Sequence, residues 1–229
     1  LLVGIQITTD TLENAFLTSL LQSEGEVDFS VVNATTGGYL TAADEANINA
    51  LATNAVGIMP ELTMRVPIML GSQFDSSVEL AGIYADYPKE VFGTFYDWFS
   101  GEEMGIGDYL TDNTSILMSS KLAKDLNLDQ DVEIPIVLTT EFTNLTVTAA
   151  VNPLTGEVVA TPTYNTEQAE LTVVGIFDSS RPGIGSQYRL IMGLEYLQEW
   201  RSLQDATRET DCISAYLVSL KTDHFTTEI

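Results

Sequence analysis

Short alternations of apolar and polar residues recur along this chain, and they predict strands more often than helices. In VDFSVV (27–32), Val27, Phe29 and Val31 fall on one face of an extended segment. LTMRVPIML (62–70) and SVELAGIYA (77–85) are two β-rich runs, and GSQFDS between them reads as a hairpin with a longer loop. SILMSS (115–120), VEIPIVLTT (132–140), LTVTAAV (145–151), LTVVGIFD (171–178), YRLIMG (188–193) and ISAYLVSLK (213–221) complete the predicted strands. NPLTGEVV carries Pro153 and Gly156 and predicts a hairpin turn.

Helical spacing is rarer. It places Leu12, Phe16, Leu20 and Leu21 on one face over 8–24, with Gly25 as terminator. TAADEANINALATN offers Thr41 as N-cap, Asp44 and Glu45 in the first turn, and an apolar face of Ala46, Ile48 and Leu51. KLAKDLNL places Leu122, Ala123 and Leu126 on one side, and LEYLQEWRSLQ (194–204) places Leu194, Leu197, Trp200 and Leu203 likewise. The stretch 86–110 is aromatic and Gly-rich without a period, which predicts loop and short helix. Strands with a few inserted helices make an α+β pattern.

Charge changes the picture most. The chain has 33 acidic residues against 9 basic ones, a formal net charge of −24, so its surface repels nucleic-acid phosphates and anionic headgroups. Its 229 residues suffice for one domain or two lobes around a real core. At −24 the isolated chain is expected to resist self-association at low salt. The single cysteine, Cys212, allows no internal disulfide, and its alternation with Ser214 and Tyr216 predicts a half-buried strand position. No run reaches the ~18 apolar residues of a membrane span. The start LLVGIQ, with no initiator Met, reads as the end of something that precedes it.

Candidate chemistry is sparse. The only histidine, His224, lies in KTDHFTTEI with no nucleophile motif nearby, so a triad has no local support and a two-histidine zinc site is excluded by count. Gly183-Ile-Gly185 lacks the third glycine and the trailing acid of a dinucleotide fingerprint. No carboxylate pair stands out among so many acids. The rings of FYDWF, namely Phe95, Tyr96, Trp98 and Phe99, form a candidate contact cluster, either a ligand platform or core packing. DLNLDQDVE alternates acids like a calcium loop, but counting from Asp125 puts Gln130 where glycine is needed and Ile136 where the bidentate glutamate is needed. A helix end, an acidic turn and a strand starting near Val132 fit it better. Catalytic, cofactor and metal residues are therefore expected to be absent. Three N-x-[ST] sequons, at Asn33, Asn113 and Asn144, are candidate glycosylation sites, and use of all three would suit a glycosylating, for instance archaeal, cell surface.

Three longer stretches, read in order, resemble a known family. DNTSILMSSKLAKDLNLDQDVEI shows a strand ending in serine, a Leu-Ala helix, a Leu-x-Leu and a turn into a new strand. ELTVVGIFDSSRPGIGSQYRLIMGLEYLQEW shows the next strand, a Gly-rich loop and a helix, and DCISAYLVSLKTD the last strand. With GEVDFSVV, VELAGIYADYPKEVF and SGEEMG upstream, the order resembles the extracytoplasmic, MacB-like periplasmic core domain of FtsX-like ABC transporter permeases. Where family members often carry a turn glycine, this chain has Asp129-Gln130-Asp131, and aspartate is a competent turn residue.

The resemblance implies a cell-membrane protein whose extracytoplasmic domain is tethered by flanking helices. It implies a porter-like β-α-β lobe from residues 1–75 and 186–229, with a membrane-proximal N-terminal helix, and a smaller, mainly β, Sabre-like lobe from 76–185. It implies no catalysis here, partnership with a cytoplasmic ATP-binding subunit and a second permease copy, and contact with a substrate or extracellular partner protein. The residues alone leave two other readings open, an extracellular ligand-binding module and a carboxylate-dependent hydrolase.

Overall fold

The computed structural model describes residues 27–35, 38–128, 133–151, 158–181, 184–186, 188–204 and 211–220, with side chains at all of these except 142–151, 158–165, 184 and 202–204. The expected helix at 8–24, Gly25, the turn residues 152–157, Gly183, Asp129–Asp131 and His224 lie outside the described residues.

Among the described residues eight strands and five α-helices alternate unevenly, an α+β arrangement with a sheet at its core. They are β1 (Phe29–Val32), α1 (Ala42–Leu51), β2 (Ala55–Leu70), β3 (Gln73–Ile83), α2 (Lys89–Phe92), α3 (Ile106–Tyr109), β4 (Ser115–Ser119), α4 (Ser120–Asp125), β5 (Ile136–Val151), β6 (Val158–Phe177), β7 (Leu190–Gly193), α5 (Leu194–Gln204) and β8 (Ala215–Leu220). The strands form one sheet in the order β1-β8-β2-β3-β7-β4-β6-β5. Parallel pairing occurs at β3–β7 and β4–β6, each joined through intervening chain, while the other neighbours are antiparallel. The end of β2 also bonds β5, pairing Ile68 with Thr140 and Met69 with Thr139, so the sheet curls back on itself.

Strand alternation separates two cores. On one side Leu62, Val66, Leu80, Met118, Leu171 and Met192 pack under α4 and α5, which contribute Leu122, Leu126, Leu194 and Leu197. On the other side Ala81, Ile83, Leu117, Phe177 and Ile191 are covered by the segment 86–110 through Phe92, Phe95, Met104, Ile106 and Leu110. A third, smaller cluster joins Ile48 of α1 to Ile213, Tyr216 and Val218. The α5 helix seats against β3 where Gly82 leaves room: a Cβ there would stand 3.0 Å from the Leu197 Cβ and 3.2 Å from the Leu194 Cα.

Several elements differ from the sequence reading for physical reasons. β2 begins at Ala55 and runs through Pro60 and Pro67, two residues that ordinarily argue against a strand. Pro67 sits at the register shift between Val66 and Ile68, where the ladder needs no N–H from it, and its carbonyl accepts from the Thr140 hydroxyl at 2.6 Å. The β2–β3 connection is a two-residue turn, not a longer loop, because Gly71 takes φ 58 and Leu70 pairs directly with Gln73. VEIPIVLTT and LTVTAAV are parts of a single strand, which begins at Ile136. Phe29 is exposed while Val31 is packed, so β1 buries less than its alternation promised. Cys212 is buried just before β8.

The helix signals held where caps were present. Thr41 N–H donates to the Asp44 carboxylate (2.8 Å) at the start of α1, although only Ile48 of its apolar face is buried and Leu51 is 85% exposed. Ser119 caps α4 by accepting from Leu122 N–H at 3.2 Å. The far end of α4 explains DLNL, the part of DLNLDQDVE up to Leu128. Asn127 takes φ 53, its N–H donates to the Lys124 carbonyl, and Leu128 N–H donates to the Ala123 carbonyl. Those two bonds form a Schellman cap, with asparagine in the left-handed position that glycine usually fills. Asp125 is held 2.8 Å from Arg189.

Candidate functional site

The FYDWF segment becomes a strap across the end of β6 rather than a flat aromatic face. Trp98 N–H donates to the Ile176 carbonyl (2.9 Å) and Asp178 N–H to the Tyr96 carbonyl (2.8 Å), so the strap adds to that strand. Asp97 closes the turn, its Oδ1 accepting from Phe99 N–H at 3.0 Å and from Ser100 N–H at 2.7 Å, with Gly101 at φ 72 completing the reversal.

The strap sends its rings to opposite sides of the sheet. Phe95 is buried edge-on between Tyr87 (5.7 Å) and Phe177 (5.2 Å), a T-shaped arrangement suited to aromatic quadrupoles. Trp98 and Phe99, tilted against each other at 5.3 Å, pack half-buried on the α4/α5 side. Tyr96 remains partly open under the Arg181 guanidinium, 4.2 Å from its centroid, and Lys124 stands 5.5 Å over Trp98. Of the four rings, the structure therefore brings Trp98 and Phe99 together and sends Phe95 elsewhere.

Arg181 also reaches Asp178 at 3.3 Å. Burial raises the Asp178 carboxyl, but hydrogen bonds from Ser180 and the nearby guanidinium outweigh it and hold it below its usual range. Ser179 closes the same corner, with Lys121 N–H donating to its hydroxyl (3.2 Å) while its own N–H donates to the Ser120 hydroxyl (3.1 Å).

The sequons differ in presentation. Asn33 Nδ2, the atom a glycan would join, donates to the Tyr39 carbonyl at 2.9 Å. Asn113 is exposed in the turn before β4, its carbonyl accepting from the Trp200 indole at 2.7 Å. Asn144 pairs with Asn165 within the β5–β6 ladder, and its side chain lies outside the described ones.

Two features escaped the sequence reading. Arg65, on β2 opposite Glu79 of β3, and Arg189 line a cavity of about 300 Å³. Asp75 and Glu79 share that lining and Asp125 neutralises Arg189, so the cavity suits ion-paired contact better than capture of a free anion. The other is Glu61, whose carboxyl is pushed up to about 7, first by burial and then by the charge of Glu79. Beside them Tyr188 is buried, and its hydroxyl finds no hydrogen-bond partner among the described residues. Only the folded register brings these groups together, which is why spacing alone could not find them. Among the described residues no group of three His, Cys, Asp or Glu side chains is placed to hold a metal.

No family model and no curated protein sequence matches the chain. Solved structures do resemble it. The extracellular domain of the noncanonic ABC-type transporter YknZ from Gram-positive bacteria is 9% identical, with 85% of this chain and 83% of that chain covered and a TM-score of 0.47. The periplasmic region of MacB from Actinobacillus actinomycetemcomitans is 12% identical, with 86% and 78% covered and a TM-score of 0.48. No helix among the described residues is long and apolar enough to cross a membrane.

Proposed function

We propose that this chain is the extracytoplasmic domain of an ABC transporter permease of the FtsX-like, MacB-type group, set between two membrane segments of a longer protein. The observation that carries this reading is the pairing of the first described strand with the last. β1 and β8 are antiparallel, Asp28 N–H donates to the Val218 carbonyl (3.0 Å), and Leu220 N–H donates to the Asp28 carboxylate (2.6 Å). The described part of the chain thus begins and ends side by side, an arrangement that suits a domain inserted between neighbouring membrane helices. The motif order of the sequence supports the same assignment.

In this reading the domain carries motion rather than chemistry. β1 is bonded to β8, and β8 to the long β2 from Ala55 to Glu61, so a pull on the flanking segments passes directly into the sheet. The drive is ATP hydrolysis in a cytoplasmic ATP-binding subunit or domain, acting on two permease copies. The output is expulsion or extraction of a substrate, or control of a partner, outside the membrane.

Residues 1–75 with 186–229 form the porter-like lobe in this proposal, and 76–185 the second lobe. β1, β8 and β2 gather at one end of the sheet order, in keeping with that division, although β7 of the first range lies between β3 and β4 of the second. The exposed Asn113 is then the sequon presented for modification, and Tyr96, Trp98 and Phe99 are the rings available to a partner. Purification of the full-length protein from its native membrane tests the assignment. Vanadate-sensitive ATP hydrolysis in the purified complex is the expected result, and a complex without an ATP-binding component would overturn it.

A further inference from the structure

Three charged side chains stand in a row across β2, β3 and the entry to β7. Arg65 is paired with Glu79 across the first two strands. Leu80 is paired with Leu190, which sets Arg189 beside Glu79 on its other flank. All three line the cavity of about 300 Å³, together with Asp75 and Ser77. Residues directly opposite each other in an antiparallel pair have Cβ atoms about 5 Å apart, near enough for an ion pair. Among the described residues, however, no ion pair joins Glu79 to either arginine. Arg189 turns to Asp125 instead, at 2.8 Å. Arg65 is exposed, and its guanidinium has no hydrogen-bond or ion-pair partner among the described residues.

The cavity therefore holds a free guanidinium opposite a free carboxylate. After burial, the charge of Glu79 is what raises the Glu61 carboxyl, in keeping with a Glu79 that has no cation on it. Asp75 supplies a second carboxylate, steadied by Ser77 N–H, which donates to its Oδ1 at 3.1 Å. The one apolar residue of the lining, Val78, is itself buried, so an apolar ligand gains little there.

Charge decides among polar ligands. A simple anion on Arg65 would also meet Glu79 and Asp75, in a chain of net charge −24. A simple cation on Glu79 would sit beside Arg65 and Arg189. A ligand that carries both signs a few ångströms apart meets an opposite charge at each end. We infer that this cavity is a binding site for a free zwitterionic α-amino acid, its carboxylate on Arg65 and its ammonium on Glu79 and Asp75. A guanidinium and a carboxylate can meet in two parallel hydrogen bonds, which fixes the ligand's direction. The volume lies at the small end of ligand cavities, which suits a small or polar side chain. Both contacts face water, where an ion pair contributes little, so the affinity is weak, with Kd on the order of 1 mM. The inference stands apart from the membrane assignment, and its test reads the chain alone.

The test is an NMR titration of the 229-residue chain with L-serine at fixed ionic strength. The backbone amide signals of Ser77, Glu79 and Arg189 should shift and saturate. L-serine methyl ester lacks the carboxylate and N-acetyl-L-serine lacks the ammonium, so each should bind about tenfold more weakly or worse. Arg65→Gln should weaken serine by the same factor and leave the ester unchanged, whereas Glu79→Gln should weaken serine and leave N-acetylserine unchanged. Signals of distant residues that stay in place in both variants show that the fold is kept. Shifts that never saturate overturn the inference, as does N-acetylserine or the ester binding as tightly as serine. A Glu79 signal that moves on Arg65→Gln in a chain that ignores serine would mean that the two side chains pair with each other, and overturns it too.

Discussion

Phe177→Ala is expected to remove about 3–5 kcal/mol of folding stability, against a total of roughly 5–15 kcal/mol for a chain of this kind. Phe177 ends β6 with no exposed surface. Its backbone pairs with Ser119 on one side and Asp97 on the other. Its ring meets Phe95 edge-on at 5.2 Å with an interplanar angle of 86°. Truncation therefore opens a cavity at the place where the aromatic strap, β4 and β6 converge. The surrounding atoms belong to three separate elements and cannot collapse together into the gap. Urea unfolding should show a lower midpoint with an unchanged slope. Tyr96→Ala, at the open end of the same strap, should cost far less. A loss below about 1 kcal/mol for Phe177→Ala would show that the strap is not anchored there.

Glu61→Gln should stabilise the chain above neutral pH and leave it unchanged in acid. The Glu61 carboxyl is raised from 4.5 to about 7, by burial first and Glu79 second. Below pH 4.5 it is protonated in both the folded and unfolded chain, so it favours neither. Between pH 4.5 and 7 the unfolded chain releases the proton and the folded chain retains it, so stability falls as pH rises. Above pH 7 the penalty is complete, on the order of 3 kcal/mol at 1.36 kcal/mol per unit. Glutamine does not ionise, so the variant should melt roughly 10 °C higher at pH 8 and at the same temperature at pH 4. Equal midpoints at pH 8 would mean that Glu61 is solvated. Carboxylates such as Asp112, held below their usual range by Thr114 and Ser115, act in the opposite direction at lower pH and do not enter this window.

Much of the fold was legible because local chemistry and tertiary structure agree. Leu122, Ala123 and Leu126 read as one side of a short helix and are buried on it, and the structure adds Ser119 as its cap. LEYLQEWRSLQ behaves likewise, with Leu194 and Leu197 buried and Trp200 at the boundary. Pro60 hid the start of β2, because whether it breaks a strand depends on the pairing with β8, which no local window contains. β5 was divided in two for a similar reason: the stretch Glu141–Asn144 looks like a break until β6 pairs with it without interruption. The candidate site was less legible still. FYDWF left a ligand platform and core packing both open, and only its turn at Asp97 shows Phe95 and Trp98 packing on different cores. Glu61, Arg65 and Arg189 acquire their environments only from strands brought together by folding.

Cysteine accessibility in living cells tests the membrane assignment most directly. Ser76 is exposed near the β2–β3 turn, and the native Cys212 is buried and contributes little background. In the full-length protein, Ser76→Cys should react with a membrane-impermeant maleimide added to intact cells, to the same extent as after permeabilisation. Labelling that appears only once the membrane is opened would place this domain on the wrong side and contradict the account.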